Sequence, residues 1–199
     1  MPKITKQRWL SAQNEELSDH INGNYDLSYY NNIYNNIFSL LKLEKTQFEN
    51  QTIIEVGPAL YPCLVNIKTK KSIAIEPLFD LFPSHIKTLY ANSNITCITI
   101  PIEELQDNSF DCDEIWIFNV MQHIIDPDLF IDKCIMLSKV IRILEPIDWP
   151  TNNAHPHTYN FDYFLNKFSN FENDLKIYKG NSIANFHSAN CVYGTIKIR

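Results

Sequence analysis

Hydrophobic positions along the chain change period once, near residue 50, and the change separates a helical start from an alternating body. From Lys6 to about His20, Trp9, Leu10, Gln13 and Leu17 recur at helical spacing, which predicts an N-terminal amphipathic helix. Asn22-Gly23-Asn24 reads as a turn. A second helix is predicted from Leu27 to Leu43, with Tyr30, Ile33, Tyr34, Ile37, Leu40 and Leu41 on one face. Periodicity alone makes that stripe a packing face.

After the polar stretch 44–51, Thr52 to Val56 is short and β-branched and stops at Gly57-Pro58, the pattern of a buried parallel strand. Ser72 to Ile75 repeats it and ends at Glu76-Pro77. Ile95 to Ile100, Glu114 to Phe118 and Val140 to Glu145 are further predicted strands, with helices around Leu78 to Tyr90 and Asp128 to Ser138. Alternation of this kind implies an α/β fold, a doubly wound, mostly parallel sheet with helices on both faces. Beyond it, Thr151 to Thr158 is a polar loop and Phe161 to Phe171 a predicted helix. Asp174 to Tyr178 and Val192 to Ile198 form a predicted C-terminal antiparallel strand pair. The expected organisation is one domain over residues 1–199, with a helical extension at 1–45, a core at 52–145 and a substrate-side region at 146–199.

Composition narrows the function. A chain of 199 residues, 45% hydrophobic and 20% charged, suits a single globular domain with its own core. The net charge of −6 disfavours a nucleic-acid partner, whose affinity comes largely from clustered Lys and Arg. The five cysteines have no metal-binding or disulfide spacing and read as small core residues of a reducing compartment. MPKITKQRW has no apolar h-region, and no run approaches the roughly 18 apolar residues of a membrane span. A cytoplasmic monomer or homodimer without membrane contact is expected.

In a doubly wound sheet the ligand sits outside the carboxyl ends of the strands, so the loops there carry the chemistry. Glu55-Val56-Gly57-Pro58-Ala59 follows the first strand, and Gly57 would let a ligand approach the backbone. Glu76 ends the second and can accept hydrogen bonds from two ribose hydroxyls. Alone, it reads equally as a solvated strand-end carboxylate. A dinucleotide needs the full G-x-G-x-x-G turn for its pyrophosphate, whereas Gly57 stands alone, with Ala59 and Pro62 where further glycines would sit.

These residues resemble class I S-adenosylmethionine-dependent methyltransferases of the small bacterial or phage, type 11/12-like kind, whose first motif is E/D-x-G-x-G, followed by an acidic end to strand two. Here the second glycine is Ala59, and the usual glycine turn before strand five is missing. Glu103 to Asp111, with Phe110-Asp111, is similar to the family's approach to strand four. Asn119-Val120-Met121-Gln122-His123-Ile124-Ile125-Asp126-Pro127 is similar to its N-V-L-x-H-x-x-D-P segment. Arg8-Trp9 with Gln13 and Glu16 resembles R-W-x-x-A-Q-x-x-E in N-terminal helices of some glycan-modifying bacterial members, which implies a helix able to close over the cofactor.

The resemblance implies a Rossmann-like fold and S-adenosylmethionine as cofactor. It places Glu55, Gly57, Pro58 and Ala59 at the methionine part, Glu76, Pro77 and Leu78 at the ribose, Ile102 and Glu103 at the adenine, and Asn119, Val120 and His123 near the methyl donor. The implied reaction is methyl transfer to an oxygen or nitrogen of a small polar acceptor, with a sugar as the first candidate. His123, His155 and His157 are the candidate proton acceptors. Each also reads as a histidine bonded to nearby backbone. A second reading has Asp148, His155 and His157 hold a divalent ion, although the site is expected to be metal-free. His187 is a further pocket candidate. Two other readings stay open, cleavage of the cofactor without an acceptor and a catalytically silent partner protein.

Overall fold

A computed structural model describes residues 2–23, 26–106, 111–179 and 190–199. Asp107 to Phe110 and His187, both singled out from sequence, lie outside them. Helix α1 covers Lys6–Asn22, capped by Thr5, whose hydroxyl accepts from the Arg8 N–H. Helix α2 covers Leu27–Leu41, and the Asp26 carboxylate accepts from the Tyr29 N–H. It stops two residues short of the predicted Leu43. Lys42 turns left-handed at φ 55°, and the Leu43 and Lys42 N–H groups close back on the Phe38 and Ser39 carbonyls. This is a Schellman ending built without glycine.

Among the described residues eight strands form one sheet: β1 Thr52–Val56, β2 Lys71–Ile75, β3 Ile95–Ile98, β4 Cys112–Phe118, β5 Ser138–Ile147, β6 Glu172–Asn173, β7 Lys176–Tyr178 and β8 Asn190–Lys197. Their order is β3-β2-β1-β4-β5-β8-β6, with β7 also pairing to β8. The first five are parallel, and β8 runs antiparallel to β5, from Val140 opposite Lys197 to Ile147 opposite Asn190. β5 follows helix α4, Pro127–Leu137, with no intervening glycine, as its sequence implied.

Alternation along the strands sorts the core onto two faces. Ile54, Ile73, Ile115 and Ile141 pack with Phe130 and Ile131 of α4 and with Phe164 of α5, Phe161–Lys167. On the other face Ile53, Ala74 and Trp116 pack with Phe38 of α2, Phe48, and Ile86 and Tyr90 of α3, Ser84–Asn92. The predicted helix from Leu78 splits into a 3-10 turn over Phe79–Leu81 and α3. Pro83 forces Phe82 into an extended conformation and starts the helix afresh. The short β6 has no counterpart in the predicted elements. No helix among the described residues is long and apolar enough to cross a membrane.

Candidate functional site

A cavity of about 930 Å³ opens at the carboxyl ends of the parallel strands. Every residue assigned to the cofactor from sequence borders it: Glu55, Gly57, Pro58 and Ala59 after β1; Glu76, Pro77 and Leu78 after β2; Ile102 and Glu103 after β3; Asn119 and Val120 after β4. His123 and His155 also line it.

Four carboxylates hold this rim, each accepting backbone N–H groups from a loop. Buried Glu55 accepts from Cys63 and Leu64 at 2.9 and 3.1 Å and so fastens the loop after its own strand. Burial pushes its pKa up to about 7, against those two bonds. Glu76, 4% exposed, accepts from Ala59 at 3.0 Å through Oε2 and from Leu78 at 2.9 Å through Oε1. Each oxygen has further acceptor capacity. Burial raises its pKa, opposed by the two backbone bonds. Half-buried Glu103 accepts from Ile125 at 3.0 Å and Asp126 at 3.4 Å, fixing the turn after His123.

The fourth, Glu145, escaped the sequence reading as a site residue. It is fully buried and accepts from Val120 at 2.7 Å and Met121 at 3.1 Å, so the end of β5 sets the loop after β4. Burial pushes its pKa up to about 8. The available signal was a carboxylate inside the otherwise apolar run Ile143-Leu144-Glu145-Pro146-Ile147.

Three residues on the rim have left-handed backbone: Gly57 at φ 59°, Ala59 at φ 53° and Asn119 at φ 63°. At Gly57 a Cβ would stand 2.9 Å from Val120 Cγ2, so the first loop and the loop after β4 meet without room for a side chain. Ala59 stands where the resembled motif has glycine and pays the steric cost of that conformation. Its N–H is bonded to Glu76, and its carbonyl accepts from the Tyr90 hydroxyl at 2.5 Å.

Helix α1 roofs the cavity and is tied to two loops. Arg8 donates to the Asn152 and Asn153 carbonyls, both at 2.6 Å. Trp9 Nε1 and Gln13 Nε2 donate to the His123 carbonyl at 2.9 and 3.3 Å. The same helix presents Glu16, whose Oε1 lies 3.0 Å from His20 Nε2 and whose Oε2 lies 3.8 Å from His123 Nδ1. Burial would raise the Glu16 pKa, but His123, His20 and His155 together hold it at about 2. The His123 and His155 ring centroids are 4.8 Å apart. Burial, then His123, lowers the His155 pKa.

His157 has a different place. Its ring is 3% exposed and bonded through Nε2 to the Ile124 carbonyl at 2.9 Å, and it does not border the cavity. A carbonyl can only accept, so Nε2 carries the proton. Asp148 is exposed at the start of the loop. The ion site envisaged from Asp148, His155 and His157 is therefore not assembled, because the loop turns His157 into the fold and His155 toward His123 and Glu16.

No family model and no curated protein matches the sequence. Solved structures do match. The N-methyltransferase NodS of Bradyrhizobium japonicum WM9, with S-adenosyl-L-homocysteine bound, is similar over 92% of this chain and 96% of its own, at 12% identity and TM-score 0.64. The 1,6-didemethyltoxoflavin-N1-methyltransferase of Burkholderia thailandensis, with 1,6-didemethyltoxoflavin and S-adenosylhomocysteine bound, is similar over 100% and 93%, at 9% identity and TM-score 0.67. The plantazolicin methyltransferase BpumL, with a monoazolic desmethylPZN analogue and S-adenosylhomocysteine bound, is similar over 97% and 93%, at 12% identity and TM-score 0.59. With its strand order and its antiparallel β8, the chain has the fold of the class I S-adenosylmethionine-dependent methyltransferases.

Proposed function

We propose that this protein binds S-adenosylmethionine in the 930 Å³ cavity and transfers its methyl group to an oxygen or nitrogen of a small polar acceptor. The observation that carries the reading is the convergence of four strand-end loops on one cavity, with Glu76 fixed there by two backbone bonds and its remaining lone pairs free. The cofactor supplies a methyl carbon made electrophilic by a sulfonium. Glu76 accepts the ribose hydroxyls, the Gly57 to Ala59 backbone lies along the methionine part, and Ile102 with Glu103 borders the adenine.

Acceptor nitrogen or oxygen attacks in line as the carbon–sulfur bond breaks, and the proton it loses passes to a nearby base or to solvent. Most of the acceleration comes from holding the reactants aligned and dry under α1 and Trp9. His155, with its lowered pKa, is neutral at pH 7 and suits proton acceptance. His123 is the second candidate, whereas His157 acts through the fold. Two of the neighbours are N-methyltransferases, one of them with 1,6-didemethyltoxoflavin bound, and the third holds a monoazolic desmethylPZN analogue. Tyr29, Tyr30 and Trp149 offer flat cavity walls to a ring-shaped acceptor, a sugar among them.

Calorimetric titration with S-adenosylhomocysteine tests the reading. Binding is expected, and Glu76→Ala is expected to weaken it by about 1–3 kcal/mol, the range for loss of a buried hydrogen-bonded partner. No binding of either cofactor form at millimolar concentration would overturn it in favour of a silent scaffold. Methylthioadenosine or homoserine formed from cofactor alone would favour cleavage without an acceptor.

A further inference from the structure

We propose that Glu16, His123 and His155 form a binding site for a divalent transition-metal ion at the acceptor end of the cavity. The three come from α1, the turn after β4 and the loop after β5, yet one donor atom from each lies within 4.8 Å of the other two. Among the described residues they are the group of histidine and carboxylate side chains so placed.

The state of His123 supports a ligand role. Its Nδ1 is buried and has no hydrogen-bond partner, and Glu16 Oε2 at 3.8 Å lies beyond hydrogen-bonding distance. A buried ring nitrogen left unpaired is costly, and a metal ion would satisfy it. Coordination at about 2.0–2.1 Å puts tetrahedral ligand atoms roughly 3.3 Å apart. The donor atoms here lie within 4.8 Å of one another, so binding would draw them closer together.

The surroundings hold the donors as ligands are usually held. Glu16 divides its oxygens, with Oε1 on His20 Nε2 and Oε2 toward His123. His20 Nδ1 is in turn 3.3 Å from the Tyr30 hydroxyl. Asn152 Nδ2 lies 3.1 Å from His155 Nδ1, and the His123 backbone is pinned by Trp9 and Gln13. Two imidazoles and one carboxylate suit zinc and its first-row neighbours better than magnesium or calcium, which prefer all-oxygen shells. Three protein ligands would leave at least one position open, and Glu16, His123 and His155 all line the cavity.

The role of the ion rests on the methyltransferase reading. An acceptor hydroxyl bound at the open position would have its pKa lowered. With His123 and His155 engaged as ligands rather than as bases, its proton goes to solvent, and an oxygen electron pair forms the bond to the methyl carbon as the sulfonium leaves as a neutral thioether.

Titration of the full, metal-stripped chain with Zn²⁺, and with Co²⁺ followed by visible absorption, tests the site. One ion per chain is expected. Glu16→Gln, His123→Ala and His155→Ala should each weaken binding at least tenfold in variants whose circular dichroism is unchanged, whereas His85→Ala, on the exposed side of α3, should not. Absence of saturable binding, or affinity indifferent to all three substitutions, overturns the site. S-adenosylhomocysteine titrated into the same preparation separates the two readings. Cofactor binding without metal binding removes only the ion, and metal binding without cofactor binding removes only the methyltransferase.

Discussion

The Ala59 N–H donates to Glu76 Oε2 across 3.0 Å, which makes the loop after β1 and the end of β2 one hydrogen-bonded unit. Glu76 Oε1 does the same for Leu78. Both oxygens face donors, so the isosteric amide has no orientation that avoids setting its NH₂ against a backbone N–H. Glu76→Gln is therefore expected to cost about 1–3 kcal/mol of stability, close to Glu76→Ala, and to weaken S-adenosylhomocysteine binding. Denaturant unfolding and calorimetry check this, and a Gln variant with parental values in both would refute the assignment.

Gly57→Ala adds a methyl 2.9 Å from Val120 Cγ2 at a backbone φ of 59°. The left-handed conformation alone costs an alanine about 1–2 kcal/mol, and the contact adds to it. Adding Val120→Ala should recover the contact part and leave the backbone part, so the two changes will not be additive. Additive losses in a double-mutant cycle would show that the two loops do not touch as described.

Glu145, with its pKa pushed up to about 8 by burial, favours the folded state when protonated. Its contribution is fully present below the ordinary carboxyl value of 4.5 and is lost as pH rises toward 8. Glu145→Gln carries a constant cost from misplacing an NH₂, but it removes this dependence. Measured from pH 5 to pH 8, stability of the variant relative to the parent should rise. Parallel curves would mean that the carboxyl titrates at its ordinary value.

Arg142 meets Glu114 through Nε and Nη2, both at 2.8 Å, and Trp116 Nε1 donates to the same carboxylate at 2.9 Å. The Glu114 side chain is 4% exposed. Arg142→Met leaves that charge uncompensated and should destabilise the fold by about 3–5 kcal/mol, while Arg142→Met with Glu114→Leu should recover much of the loss. Equal stability of the single and double variants would place the cost in lost packing of the arginine stem.

The parallel sheet was legible because its strands announce their own ends: Gly57-Pro58 after β1 and Glu76-Pro77 after β2 mark both a boundary and a site. Signals failed where the cause was not local. Lys42 ends α2 through closing bonds rather than through a glycine, and β6 exists only because β8 offers it an edge. Pro83 was a local signal for the break before α3 and was outweighed by the apolar spacing around it. At the site, Glu76 and Gly57 could be placed from their strand ends. Glu145 could not, since its partners Val120 and Met121 lie 25 and 24 residues away in the loop after the neighbouring strand β4. Glu16 meets His123 and His155 only through the docking of α1, which no spacing in the chain encodes.

The carboxylates of Glu55, Glu76, Glu103 and Glu145 bind the rim loops by their main chain. Such a bond asks nothing of the side chain that the donating residue carries. Cys63, Leu64, Ala59, Leu78, Val120, Met121 and Ile125 can therefore change identity, proline excepted, without losing the fastening. Four fixed acids thus allow the loop residues they hold to diverge while the outline of the cavity stays in place.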